Sequence, residues 1–212
     1  MRRSFLIGIR DRINKKRVSS KSLRKIFSSD IGKPVKAVNV EEDLYIVNDL
    51  PGLSVNGYFK PGSQVGDTAL NINVLAERRY TMNLRSDNHG APSTGENRVY
   101  SEFILQNPLR LSDQLKIAAM STYNPDNSTY GSFNYSTKFI HPRLTLSIGV
   151  SNNDFISGIG NNETNNVATG FEGESIVSEV SSRYSIKRGR KKNYYFNFRA
   201  FQIETNLDIS GN

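Results

Sequence analysis

The chain has 212 residues, 28 Lys/Arg against 20 Asp/Glu, a mean hydropathy of −0.51, and neither Cys nor Trp. That length suits one or two domains, and the missing Cys excludes a disulfide framework and a thiolate metal site. No stretch approaches the roughly 20 apolar residues of a membrane helix, while 10 Tyr and 11 Phe argue against disorder.

Charge is distributed unevenly. Residues 1–36 carry twelve Lys/Arg and two Asp, whereas the remaining 176 carry sixteen against eighteen. A basic N-terminal segment of this kind reads as a solvated face beside anionic headgroups or an acidic partner; a nucleic-acid-binding domain is the competing reading. Met1-Arg2-Arg3 before Phe5–Ile9 mimics a signal peptide, but Arg10 and Asp11 end the apolar run too early.

Residues 1–78 read as a β-α-α-β-β unit. Ser4 to Arg12 has strand character, with Phe5, Ile7 and Ile9 on one face. Ser19 or Ser20 caps a helix running to about Ser29, with Leu23, Ile26 and Phe27 as its buried stripe. After Gly32-Lys33-Pro34 a second helix is predicted from about Val38 to Leu50. Val40, Leu44 and Val47 form its apolar face, and Glu41, Glu42 and Asp43 sit near its positive end. Pro51-Gly52 stops it. Leu53 to Lys60 is then a strand, Pro61-Gly62-Ser63 a turn, and Thr68 to Leu75 a strand whose Leu70, Ile72 and Val74 alternate with polar residues.

From residue 79 to 212 no helical period recurs. Seven alternating segments follow, separated by turn signals, the pattern of a transmembrane β-barrel. They are Arg79–Arg85, Arg98–Gln106, Leu115–Tyr123, Tyr130–Ile140, Leu144–Ser151, Ser175–Ile186 and Tyr194 to about Ile203. One face carries Tyr80, Met82 and Leu84, then Val99, Phe103 and Leu105, then Leu115 and Ile117, Phe133 and Phe139, Ile148 and Val150, Val180 and Tyr184, Phe196 and Phe198. The other carries Arg85, Arg98, Glu102, Lys116, Lys138, Glu179, Arg183 and Arg199, the candidates for a hydrated pore wall. The longest connection, Asn152 to Glu174, is expected on the outside of the cell. Seven strands cannot close a channel-sized barrel, and a secreted barrel protein needs a signal peptide. The expectation is a piece of a longer product.

Four motifs occur in order: Leu44-Tyr45-Ile46-Val47-Asn48-Asp49-Leu50-Pro51-Gly52; Lys60-Pro61-Gly62 with Gly66 to Val74; Ser86-Asp87-Asn88-His89-Gly90 with Thr94-Gly95; and Asn107-Pro108-Leu109 with Ser112-Asp113. Together they resemble the haemolysin secretion/activation transporters of two-partner secretion. The resemblance implies that residues 1–78 are the second POTRA domain of that family, in the periplasm, and 79–212 the N-terminal part of a barrel of about sixteen strands in the bacterial outer membrane. It also implies a translocator that secretes and activates a haemolysin- or adhesin-type exoprotein without ATP. The family's plug helix, first POTRA domain, later strands and Arg-Gly-Tyr loop have no counterpart in this chain.

The exoprotein is expected to dock on the strand Leu53, Ser54, Val55, Asn56, Gly57, Tyr58, Phe59 and Lys60, taken as a sheet edge beside the second helix. The alternative from another class is a water-soluble β-rich binding module or adhesin fragment, which would bury Tyr80, Met82, Phe133, Tyr135 and Phe139 in a core. Nothing points to an enzyme, cofactor or metal: Ser86, Asp87 and His89 lie in a Gly-rich turn without an orienting partner. Lys187, Arg188, Arg190, Lys191 and Lys192 share one turn, where outer-membrane lipid is a better partner than nucleic acid because no aromatic platform interleaves with them.

Overall fold

The computed structural model describes residues 5–11, 26–27, 33–34, 36–158 and 170–210. Its first part comprises β1 (Phe5–Asp11), α1 (Ala37–Asn48), β2 (Leu53–Pro61) and β3 (Thr68–Glu77). β3 lies in the middle, antiparallel to β2 and parallel to β1. A parallel pair needs a crossover, and the segment between β1 and β2, with α1, supplies it. Leu70, Ile72 and Val74 of β3 meet Val55 of β2 beneath Val40 and Val47 of α1. Their partners in alternation, Asn71 and Asn73, fall on the opposite face. Most of the helix expected from Ser19 or Ser20 to Ser29 lies outside the described residues. Phe27 is nonetheless fully buried in this core, and Ile26 packs against it.

The second part is a meander of seven antiparallel strands: β4 (Tyr80–Asp87), β5 (Asn97–Gln106), β6 (Asp113–Tyr123), β7 (Ser128–His141), β8 (Leu144–Gly158), β9 (Gly170–Lys187) and β10 (Tyr194–Ser210). The sheet is open, with β4 and β10 at its edges. Residues opposite one another in a ladder share a face, so register fixes the faces. Met82, Phe103, Ile117, Phe133 and Val150 form one continuous row, and Tyr135, Ile148, Val180 and Ala200 another. Each expected strand is present, and the expected faces agree with the register except at Lys138 and Phe139, which fall where the β7 ladder shifts.

Three strands run longer than expected. Asn152 pairs with Ile176, and the ladder continues to Gly158 and Gly170, consuming much of the connection expected between Asn152 and Glu174. β10 continues to Ser210. The reason is a change of phase. Along β10, Phe196 and Phe198 lie on the apolar face with Val180, but Phe201, Ile203, Leu207 and Ile209 lie on the opposite one. Their neighbours Glu204 and Asp208 share the outer face with Glu172, Glu174 and Asp154. Beyond the inversion, alternation persists with its two faces exchanged.

Candidate functional site

Three structures invite a functional role: the polar face of the large sheet, the edge strand β2, and the junction between them.

Register puts seven of the eight predicted residues, Arg85, Arg98, Glu102, Lys116, Glu179, Arg183 and Arg199, on one side of the sheet. Arg98 grips Asp87 through Nε at 2.8 Å and Nη2 at 2.7 Å, while Arg85 adds a third contact at 3.0 Å and stacks over the Tyr100 ring. Glu102 accepts from Lys116, from Asn83 Nδ2 at 2.9 Å and from the Tyr100 hydroxyl at 3.2 Å. Further along, Arg199 pairs with Glu179, and Arg183 donates to Asn197 at 2.8 Å and covers the Tyr195 ring. Opposite charges are tethered across strands, yet the cations outnumber the acids, so the wall is polar and net positive. Lys138 stands apart from these networks, in the β7 bulge where the ladder shifts between Thr137 and His141.

The edge strand is partly occupied. Asn48, near the end of α1, accepts from Val55 N at 2.8 Å and donates to Val55 O at 3.0 Å. Both main-chain groups of Val55 therefore point away from β3. Because the pointing alternates along a strand, Gly57 and Phe59 also turn theirs outward, while Asn56 and Tyr58 bond to β3. Of the predicted docking residues, the open part of the edge is thus Gly57 to Lys60. Sequence reasoning missed the Asn48 clamp; its signal was an Asn directly before the helix-ending Asp49-Leu50-Pro51-Gly52.

At the junction, α1 is held by two turns of the large sheet. Arg143, between β7 and β8, reaches Glu42 and lies 3.7 Å from Asp43. Arg188, between β9 and β10, binds Asp49 and covers the Tyr45 ring, and its backbone N–H donates to Glu42. The Asp49 carboxylate raises the Arg188 pKa above its ordinary value, mainly through that hydrogen bond. Gly52 takes φ +75 here, and a Cβ would lie 2.5 Å from Arg78 O, so the Pro51-Gly52 step needs its glycine.

The motif residues build turns. Asp87 accepts from His89 N at 3.1 Å besides its two arginines, and the His89 side chain is exposed. Thr122 Oγ1 bonds to Thr94 O and Ser128 O and accepts from Asn127 N and Ser128 N, tying the β4–β5 loop to the β6–β7 loop. Gly95, at φ +115, abuts Thr122, where a Cβ would approach to 2.3 Å. Asp113 is wholly buried and accepts from Leu109 N, Leu111 N and the Tyr135 hydroxyl at 3.0–3.1 Å. His141 Nδ1 accepts from Arg143 N at 3.2 Å.

Comparison with known proteins follows this geometry. The family model for the haemolysin secretion/activation protein ShlB/FhaC/HecB matches residues 66–210. The chain is 25% identical over 118 residues to the hemolysin transporter protein HpmB of Proteus mirabilis, covering 50% of this chain and 21% of that one. It is 27% identical over 115 residues to the outer membrane transporter CdiB of Dickeya dadantii (strain 3937), covering 54% and 21%. It thus spans about a fifth of the length of these relatives. Among solved structures, CdiB from Escherichia coli superposes with a TM-score of 0.76 at 18% identity, covering 98% of this chain and 38% of that one. CdiB from Acinetobacter baumannii gives 0.69 at 15%, covering 98% and 38%. BamA from Haemophilus ducreyi lacking POTRA domains 1-3 gives 0.53 at 10%, covering 100% and 44%. With most of its length matched by the family model, from the start of β3 through the large sheet, the chain belongs to the haemolysin secretion/activation protein family.

Proposed function

We propose that this chain is part of an outer-membrane translocator that secretes and activates a partner exoprotein in two-partner secretion. Residues 1–78 act as a periplasmic POTRA module of βααββ type, and 79–212 as the first strands of the transmembrane barrel. One observation carries the membrane reading: Tyr80, Met82, Ile148 and Phe196 are all more than half exposed on one sheet face, opposite a face of tethered charges. In the competing soluble module these side chains would lie in a core. Tyr135, half-buried with its hydroxyl on Asp113, fits either reading. A lipid-facing band beside a hydrated wall is the arrangement of a membrane barrel.

The wall of Arg85, Arg98, Glu102, Lys116, Lys138, Glu179, Arg183 and Arg199 lines the pore, where a polar, hydrated surface lets an unfolded chain pass. The edge strand β2 receives an extended segment of the exoprotein by strand addition. The family membership and the names of the relatives, a hemolysin transporter and an outer membrane transporter, support this reading. The test is fractionation of the protein carrying this sequence, with its cognate exoprotein co-expressed. Recovery in outer membranes, resistance to carbonate extraction and exoprotein in the medium are expected. Recovery in the soluble periplasm would overturn the barrel, and retention of the exoprotein inside cells that hold an inserted barrel would overturn the transport role.

A further inference from the structure

The turn between β9 and β10 holds five cations, and only Arg188 is engaged, through Asp49 and Asn193. The side chains of Lys187, Arg190, Lys191 and Lys192 form no hydrogen bond or ion pair with other described residues. They line a cleft of about 420 Å³ together with Val38, Glu41 and Glu42 of α1. Glu42 is committed to Arg143 and to the backbone of Arg188. Glu41, whose carboxylate accepts from Tyr45, is the remaining acid on the rim. Four cations thus face one available carboxylate, an imbalance that an anion would remove.

The second half of the observation lies on the strand ends that carry the turn. Tyr184, Ile186, Tyr194 and Phe196 are all exposed there, and register puts Tyr184 and Phe196 on the apolar face. Aromatic side chains directly next to unpaired cations have the profile of a membrane interface, where rings sit at headgroup level and cations meet phosphate. An acidic protein segment would satisfy the cations but not the exposed rings and Ile186. A phospholipid satisfies both, with its phosphate in the cleft and its acyl chains along the sheet.

We propose that the turn 187–192 and the α1 flank form a headgroup site for an anionic phospholipid at the junction between module and sheet. It rests on reading β4–β10 as membrane-embedded. Arg188 takes no part in it, being held by Asp49. A lipid bound there would touch α1 and the sheet together, so the membrane surface itself would help hold the module against the barrel.

The experiment is native mass spectrometry of the protein carrying this sequence in a neutral detergent, with phosphatidylglycerol, phosphatidylcholine or inorganic phosphate added. Phosphatidylglycerol should be retained, phosphatidylcholine should not, and millimolar phosphate should fail to displace the lipid. The variant R190Q/K191Q/K192Q should weaken retention about a hundredfold, and K187Q alone about fivefold, following the usual gain per cation at an anionic surface. Heat-dependent gel mobility checks that each variant remains a folded barrel. Equal retention of both lipids, or undiminished retention by the triple variant, would overturn the site. Displacement by phosphate would reassign it to small anions, and displacement by polyglutamate to an acidic protein; either overturns the lipid assignment. A protein that never inserts into membranes fails the barrel reading instead, which separates the two failures.

Discussion

Arg188 grips Asp49 from 139 residues away in sequence, with Nε 2.8 Å from Oδ2 and Nη2 3.1 Å from Oδ1. The fork geometry is the strong form of an ion pair, and both side chains are about three-quarters shielded from solvent. With the Arg143 contacts to Glu42 and Asp43 it fixes α1, and the edge strand beside it, against the large sheet.

Breaking this pair should loosen the junction without unfolding either part. D49N or R188Q is expected to cost about 1–3 kcal/mol of docking free energy, and the double variant little more than either single one. Because the chain contains no Cys, spin labels at K36C and K191C report the junction directly. The distance distribution between them should broaden in each variant. Arg188 has its pKa raised by Asp49, so with Asp49 ionised its contribution is fully present at neutral pH and is lost on the basic side only as pH rises through the raised value. Salt, not physiological pH, should therefore modulate the junction. An unchanged distribution in R188Q would rule out the clamp.

On the large sheet, F133R and I148R place a charge on the apolar face, and S132R and S147R, one residue away, place it on the polar one. The first pair should impair insertion by up to about 2–4 kcal/mol, and the second pair should be tolerated. Assembly yield on a heat-modifiability gel measures the difference. Equal damage from both pairs would contradict the register.

Asp113 serves three donors from a fully buried position. D113A should destabilise the 107–112 turn by about 3 kcal/mol or more, since each donor left unpaired carries its own cost. Y135F removes one of the three and should cost about 1 kcal/mol. Urea unfolding midpoints of the reconstituted protein separate the two variants; equal midpoints would show that the carboxylate does not organise the turn.

At the β2 edge, F59P removes an outward donor and leaves the β3 ladder intact. Y58P removes a donor that β3 uses. The first should lower exoprotein binding and secretion with little loss of module stability, while the second should destabilise the module. Circular dichroism and secretion assays distinguish them. Full secretion by F59P would exclude strand addition at this edge.

Much of this was legible in the sequence because sheets with one polar and one apolar face, and a small core, impose alternation directly on the chain. Val99, Phe103 and Leu105 against Arg98, Tyr100 and Glu102 required no knowledge of partners. What alternation cannot reveal is who meets whom at long range. Arg143 meeting Glu42, 101 residues away, and Thr122 meeting Thr94 depend on how the sheet curls back on its loops. The Asn152–Glu174 stretch was misjudged for a different reason. Its strands continue, but beyond the point where apolar residues keep to the face of Val180, so the pattern sought there had already reversed.

That reversal sets a depth. On β9 and β10 one face runs from Tyr184 and Phe196, through Phe198 and Val180, to Glu174, Glu204 and Asp208, with the cations of the turn beyond its near end. In the proposed membrane barrel, a slide of one pleat along the membrane normal, in either direction, would drag a charge into hydrocarbon and expel a ring from it. Sliding keeps every side chain on its proper face, so alternation alone does not resist it. Charged stops at both ends would, giving the sheet of the proposed barrel a single resting height. On that reading the module fastened to its turns by Arg143 and Arg188 inherits the height, and the β2 edge keeps a constant distance from the membrane.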